Sequence, residues 1–550
     1  MKKLFAVFAV LALFSALAGQ RPVFSENPSK SVKSSRNYIE GRILVKMKSG
    51  AQISRQSNEI LDKVMPVEGA DAEPVGDMTL DGTYIVEIDH NLSVEDAVQL
   101  AQADPRVEYA EPDYILRPAV TPDDPFFNQQ WGLHNTGAGG IAGADIGAPA
   151  VWDVTQGSED VIVAVIDTGT ELSHPDLQAN AWINPGETAG NGIDDDGNGF
   201  VDDINGWNFH GNNNNTGPAG DFHATHLSGI IGAVGNNGVG VTGVAWRVKL
   251  MALKFISGDE GSTSDAIKAI NYVTAMHKRG ENVKVINASW GGPGNSKSLR
   301  KAIVKAGKEG ILFVSAAGNG GDDFSGDDLD VTPDFPSAWS TSVNSIISVA
   351  ALDRRDDLAT FSNFGNTTVN VGAPGVDVLS TVPGGGYGFL DGTSMATPHV
   401  AGVAALILSR EPGLTPSQVK QRIISSAEPV LALGARSTTA GRLNAFNAVT
   451  NTAPSVAAPG INNIETNAKV LTIDGIGFRS GSTQIDVNGA VLNKVKFSAD
   501  HRLLNGSFTQ MTVKLGKASM AGLFPEGIQV VVTVTDILSG DSFFLTYTRN

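Results

Sequence analysis

Three short stretches of this chain each put one reactive side chain at the edge of a structural element. The buried apolar run VIVAVID (161–167) ends on Asp167, with Thr168 and Gly169 behind it. HATHLSGIIGAVG (223–235) opens on His223 and reads as a helix, with His226 one turn further on. In LDGTSMATPHVAGVAALIL (390–408), Ser394 falls where Gly392-Thr393 gives way to an apolar helix whose first turn tolerates Pro398. A carboxylate at the carboxyl end of a parallel strand stands where open α/β sheets place their sites. A lone serine at a helix start is more often a cap. The same position lets backbone N–H groups and the helix dipole stabilise an oxyanion formed there.

Two other chemistries fit the same residues less well. A single Asp-Thr-Gly also occurs in aspartic peptidases, but their mechanism needs two carboxylates sharing a proton. No second Asp-Thr-Gly or Asp-Ser-Gly is present, and the surrounding text is α/β rather than β-rich. His223 and His226 are spaced to face one side of a helix, yet a His-x-x-His pair without nearby Glu or Cys ligands is an incomplete metal site. The zinc-peptidase pattern His-Glu-x-x-His is absent.

The order decides. Asp first, His second and Ser last is the order of subtilisin, whereas α/β-hydrolases and chymotrypsin-like enzymes run differently. VAVIDTGTELSHPDL, HATHLSGIIGA and DGTSMATPHVAGVAAL resemble the corresponding segments of the subtilisin-like serine peptidases (subtilases). FVSAAGN, VINASWGGPG and FSNFGNTTVNVGAPG match further segments, so that the resemblance spans about residues 126 to 449. It implies Ser394 as nucleophile, His223 as general base and acid, and Asp167 as the group that orients the imidazole. Asn319 in AAGN becomes an oxyanion donor. His226 is then a packed neighbour. Subtilases usually carry Gly where this chain has Ala224, which raises the question whether a methyl group there tilts the base.

For substrate, Ser289-Trp290-Gly291 resembles the family strand that pairs with an extended peptide, with a second binding edge near Gly261. The resemblance places the pocket for the residue before the scissile bond at Ala316, Ala317 and Gly318, whose small size suggests room for an apolar side chain.

Carboxylates supply a second theme. NGIDDDGNGFVDDINGWNF (191–209) contains Asp194-x-Asp196-x-Asn198-Gly199, the opening half of a calcium loop, with Asp202 at its ninth position. The closing Glu is replaced by Asn205, so the loop is not an EF-hand. The resemblance implies a further calcium site at Asp176 and Asn237, with Asp124 as its N-terminal ligand. Structural Ca2+ would stabilise a chain whose lack of cysteine rules out disulfides, zinc–thiolate sites and thiol nucleophiles.

These residues need a scaffold. Unalternated Val/Ile runs (161–167, 283–290, 311–319, 345–352) interleave with helical patterns (262–280, 296–310). That is an α/β domain with a parallel sheet sandwiched by helices, spanning 122–450. Before it, strand-like YIEGRILVKMK and TYIVEIDH, the helical SVEDAVQLAQAD and RVEYAEPDYIL form a small α+β unit over 37–121. It resembles the subtilase propeptide, an intramolecular chaperone and inhibitor, with self-cleavage expected in the Pro-rich segment 117–125. After it come a linker (451–467) and, over 468–550, period-2 strands without a good helix: a β-sandwich resembling the Ig-like IPT/TIG modules.

At the start, Met1-Lys2-Lys3 precedes an apolar run (4–17) and small residues at 16–18, the pattern of a signal peptide removed after about residue 18. A spacer (19–36) follows, and the run is too short for a membrane anchor. The formal charge of −18 argues against a nucleic-acid partner. The expectation is a secreted bacterial, monomeric, calcium-stabilised serine endopeptidase, made as an autoprocessed zymogen that acts on peptide substrates. The alternative is a weak or inactive peptidase scaffold that binds through its C-terminal domain.

Overall fold

The computed structural model describes residues 38–48, 73–74, 83–88, 92–114 and 120–454 except 219. It also describes most of the C-terminal region: 460–466, 470–478, 483–492, 495–497, 508–515, 517–526, 528–536 and 542–549. The signal segment, the spacer and the start of the cleavage segment lie outside the described residues. The chain divides into two compact units, Met1–Pro118 and Ala119–Asn550.

The first unit is an antiparallel sheet of β1 (Tyr38–Met47), β2 (Glu73–Pro74), β3 (Thr83–Glu87) and β4 (Val107–Tyr114), in the order β2-β3-β1-β4. Helix α1 (Val94–Gln102) packs Val94, Ala97 and Ala101 into a core shared with Ile43, Val45 and Val86. Its start follows from sequence, since the Ser93 hydroxyl accepts the Asp96 N–H at 3.1 Å.

The second unit is built on β5 (Gly157–Asp167), β6 (Gly206–Asn208), β7 (Arg247–Lys254), the short hairpin β8 (Ile256–Ser257) and β9 (Glu260–Gly261), β10 (Val283–Ala288), β11 (Leu312–Ala316), β12 (Ile346–Leu352) and β13 (Val371–Pro374). A hairpin of β14 (Val378–Val382) and β15 (Gly386–Leu390) follows, then β16 (Glu428–Pro429) and β17 (Gly441–Arg442). The large sheet runs β16-β17-β13-β12-β11-β10-β5-β7-β6, parallel throughout except for β16 at the edge. The chain leaves β5 toward β7 on one side and later returns to β10 on the other. The carboxyl end of β5 is therefore a topological switch point, where such sheets open a crevice.

Both faces of β5 are covered, which is why its sequence does not alternate. Val161, Val163 and Val165 join one core with helices α2 (Ala148–Trp152), α3 (His223–Gly232), α6 (Thr393–Arg410), α7 (Pro416–Ser425) and α8 (Ala445–Thr450). Ile162, Ala164 and Ile166 join the other with α4 (Thr263–Lys278) and α5 (Lys297–Lys308). Side-chain caps start α4 and α5: Ser262 and Ser296 accept the N–H groups of Asp265 and Leu299 at 3.1 and 3.2 Å.

The C-terminal region is two four-stranded antiparallel sheets. One holds β18 (Gly460–Thr466), β19 (Val470–Phe478), β22 (Val495–Phe497) and β23 (Phe508–Lys514); the other β20 (Thr483–Val487), β21 (Ala490–Leu492), β24 (Gln529–Asp536) and β25 (Ser542–Thr548). Leu471 and Val513 of one meet Ile485 and Val532 of the other in a shared core, as in a sandwich. Two expectations need correction. β18 falls inside the segment read as a linker, because its Asn-rich text hid the buried Ile461 and Ile464. A helix, α9 (Lys517–Leu523), exists where none was expected, and buries Met520 and Phe524 at its end.

Candidate active site

The carboxyl ends of three neighbouring strands and the starts of two packed helices converge here. Asp167 closes β5 fully buried; its Oδ1 accepts the Thr168 N–H and the Nδ1 of His223, both at 2.7 Å. Among the described residues its Oδ2 has no hydrogen-bond partner. His223 is the first residue of α3, and its own N–H donates to Asp221 Oδ1 at 2.7 Å. Thr168 joins both parts, donating to Asp221 Oδ1 at 2.8 Å while its Oγ1 accepts the Ala224 N–H at 3.2 Å. Lys254, buried at the end of β7, holds the Thr168 carbonyl. Burial works to lower the His223 pKa, but the charge and hydrogen bond of Asp167 outweigh it and raise the imidazole above its ordinary value. Such an imidazole takes and holds a proton well.

Ser394 is the second residue of α6, after Gly392 at φ 150°, and its hydroxyl donates to the Ser289 carbonyl at 3.2 Å. A Cβ on Gly392 would lie 3.5 Å from both Asn319 Nδ2 and the Ser394 N–H nitrogen, so those two donors flank one small space. Asn319 is oriented for it: its Oδ1 accepts the N–H and hydroxyl of Thr393 at 3.0 and 2.8 Å, which turns the amide nitrogen away from the helix.

The helix starts earlier than its proline suggests. Pro398 lies inside α6, not in its first turn as expected, and it cannot donate to the Ser394 carbonyl one turn back. The Ser289 hydroxyl takes that carbonyl instead, at 2.9 Å. Ser289, after β10, is thus bonded both ways to the serine. Trp290 is anchored through Nε1 to the Ile166 carbonyl at 2.7 Å. Ala317 and Gly318 continue β11 beside Ser289–Gly291, and Gly261 lies in the exposed β8–β9 hairpin.

His226 is a structural residue. Its Nε2 meets the carbonyls of Val378 and Gly388 at 2.9 and 3.0 Å, tying α3 to the β14–β15 hairpin. Burial pushes its pKa down to about 4 against those two carbonyls. Ala224 is 1% exposed and packs in the core, so the helix accommodates its methyl group.

The candidate carboxylates fall into two groups, the first with a changed membership. Glu187, Asp194 and Asp196 bring one carboxylate oxygen each within 4.8 Å of one another. Asp202 stands outside this cluster; its oxygens accept the N–H groups of Asn191 and Gly192 at 3.1 and 2.9 Å, just as those of Asp194 and Glu187 accept backbone N–H groups. Asn198 directs its amide at Asp196 and Asp203, and its Oδ1 accepts the Phe200 N–H at 2.7 Å. Glu187 is the carboxylate of this cluster that sequence spacing missed. At the second site, Asn237 Nδ2 donates to Asp176 at 2.9 Å and the N–H groups of Asn236 and Asn237 point at Asp124. Burial pushes Asp124 up to about 6 against those N–H bonds, and the Asp176 charge adds to the rise. Glu187, Asp194 and Asp196 are half-buried and Asp196 also pairs with Arg279 at 3.2 Å, while Asp124 and Asp176 are buried; clustered oxygen donors of this kind suit a hard cation.

Comparison with known proteins places the chain. Residues 158–449 match the Subtilase family and residues 25–113 the fervidolysin N-terminal prodomain. A thermophilic serine proteinase of Bacillus sp. (strain AK1) is 32% identical over 415 residues, 75% of this chain and 88% of its own. Thermitase of Thermoactinomyces vulgaris is 33% identical over 60% of this chain and 99% of its own. An extracellular protease of Xanthomonas campestris pv. campestris is 34% identical over 67% of this chain and 64% of its own. This chain belongs to the subtilase family. It is a serine endopeptidase with an N-terminal prodomain, and it carries an additional antiparallel β region at its C-terminus.

Proposed function

We propose that the chain is a secreted, calcium-stabilised endopeptidase made as an autoprocessed zymogen, working through Asp167, His223, Ser394 and Asn319. The observation that carries this reading is the 2.7 Å bond from His223 to the buried Asp167, at the edge where the Ser394 N–H and Asn319 amide share one space. Ser394 Oγ turns from the Ser289 carbonyl and attacks the substrate carbonyl carbon while His223 Nε2 takes its proton. The carbonyl π electrons move to oxygen, which accepts hydrogen bonds from the Asn319 amide and the Ser394 N–H. Collapse breaks the C–N bond as His223 protonates the leaving amine. Water, deprotonated by His223, then cleaves the acyl ester in the same way. Losing one oxyanion donor costs on the order of 2.7–4 kcal/mol in the barrier.

Glu187, Asp194 and Asp196, and separately Asp124, Asp176 and Asn237, are the residues to hold calcium; bound there, the ion neutralises crowded carboxylates and rigidifies the loops. The first unit acts as inhibitor and folding aid until cleavage in 117–125. Export is supported by the basic and then apolar N-terminus and by the Xanthomonas relative, which is named as extracellular. Among the described residues no helix is long and apolar enough to cross a membrane. A fluorophosphonate probe tests the core of the reading: the mature wild type labels at Ser394, and Ser394→Ala does not. An unlabelled, prodomain-free wild type overturns it.

A further inference from the structure

The strand ends that flank Ser394 enclose a carboxylate. Beyond β10 the chain runs Ser289–Gly291, and the neighbouring β11 ends on Ala316 and runs on through Ala317 and Gly318. Both segments leave the sheet beside the reactive serine, one through the Ser289–Ser394 bonds and the other through Gly318 N–H to Thr393 Oγ1 at 3.1 Å. Asp334 lies between them. A Cβ on Gly291 would come within 2.7 Å of its Oδ1, and one on Gly318 within 3.4 Å of its Oδ2. Neither position has a side chain to cover the carboxylate.

The carboxylate is also held in place. The next residue, Phe335, exchanges both backbone hydrogen bonds with Gly292, at 3.0 and 2.9 Å. The Asp334 carbonyl accepts the Ala338 N–H at 2.9 Å at the start of a short 3-10 turn. No Lys, Arg or His pairs with Asp334 among the described residues, and the charge it feels is that of Asp327, of its own sign. Burial, offset by the N–H groups of Gly292 and Phe335, raises its pKa. A partly buried carboxylate with no protein cation is poorly compensated until something positive arrives.

We infer that Asp334 makes this peptidase selective for lysine or arginine immediately before the scissile bond. The inference rests on the catalytic reading above and replaces the apolar pocket suggested by Ala316, Ala317 and Gly318. Gly291 and Gly318 put no side chain between the reactive serine and Asp334, so a long stem can run along the backbone of the two segments. The carboxylate receives the ammonium or guanidinium at the end. A neutral aromatic side chain would cover Asp334 and desolvate it without a partner.

The test uses the mature enzyme and the p-nitroanilides of succinyl-Ala-Ala-Pro-X, with X as Lys, Arg or Phe. The wild type is expected to favour Lys and Arg over Phe in kcat/KM by at least about tenfold, as a charge-assisted hydrogen bond allows. Asp334→Asn is expected to reduce the Lys/Phe ratio by about 10- to 100-fold. Ser394 cleaves both substrates, so the ratio cancels any loss of folded protein. If the wild type is labelled by the fluorophosphonate yet prefers Phe, or if Asp334→Asn leaves the ratio where it was, the assignment falls alone. If Ser394 is not labelled and no substrate is cut, the catalytic reading falls and takes this one with it.

Discussion

Pro398 and Ser289 make a coupled pair whose energetics can be worked out from the structure. Proline at this point in α6 has no N–H for the Ser394 carbonyl, and its ring presses on that carbonyl. The Ser289 hydroxyl is the replacement donor at 2.9 Å, and Ser289 is only 5% exposed. Removing it by Ser289→Ala leaves a buried carbonyl unsatisfied, at a cost of about 1–3 kcal/mol. A domain of this size would melt roughly 2–10 °C lower. Ser289 also accepts from Asn287 Nδ2 at 3.1 Å, so the single substitution mixes two losses.

A double-mutant cycle separates them. In a Pro398→Ala background the restored N–H can serve the Ser394 carbonyl. The Asn287 loss is the same in both backgrounds and cancels. Ser289→Ala should then cost less in that background by about 1–2 kcal/mol, a coupling between side chains that share one acceptor. The assay is denaturant unfolding of the prodomain-free enzyme, inactivated with fluorophosphonate to stop autolysis, at fixed calcium. If Ser289→Ala costs the same in both backgrounds, the serine is not standing in for the missing helix bond and the reasoning fails.

Three further outcomes are expected. Catalysis needs His223 neutral, and Asp167 raises its pKa against burial; the acid limb of kcat/KM should therefore lie above the ordinary imidazole value of 6.5. Asp167→Asn should move the limb to lower pH and cut the rate by about 10⁴-fold; an unmoved limb would mean another group titrates there. Burial lowers both His226 and His399 to about 4, so between 6.5 and 4 the unfolded chain binds more protons than the folded one. Stability of the inactivated enzyme should fall as pH drops through that window, by up to about 1.4 kcal/mol per pH unit for each histidine. His399→Gln should flatten the slope, and an unchanged slope counts against the assignment. EGTA should lower Tm, and Glu187→Gln should weaken calcium binding by calorimetry more than Asp202→Asn does. The reverse ranking would restore Asp202 as a ligand.

What was legible in the sequence follows from how each residue is placed. Asp167, His223 and Ser394 sit at the ends of apolar runs, and a run ending on a polar residue marks both the element and its functional edge. Residues that act across space left no such mark. Glu187 enters the carboxylate cluster only because the loop folds back, with Asn184, Asn198 and Tyr272 all bonded to Asp203. Pro398 read as a first-turn residue because spacing alone could not show α6 beginning at Thr393, nor Ser289 compensating for the lost bond. Ala224 looked like a steric threat to the base, although its methyl group fills core space and its N–H secures Thr168. Asp334 reaches the site through a backbone bridge from Phe335 to Gly292, a contact that no periodicity encodes. The division has a physical basis. The groups proposed to break the bond must stand at rigid element ends, which local sequence specifies, whereas those proposed to choose the substrate or hold calcium need only reach the site. Chains with the same reactive motifs can therefore differ in what they cut through one loop residue such as Asp334.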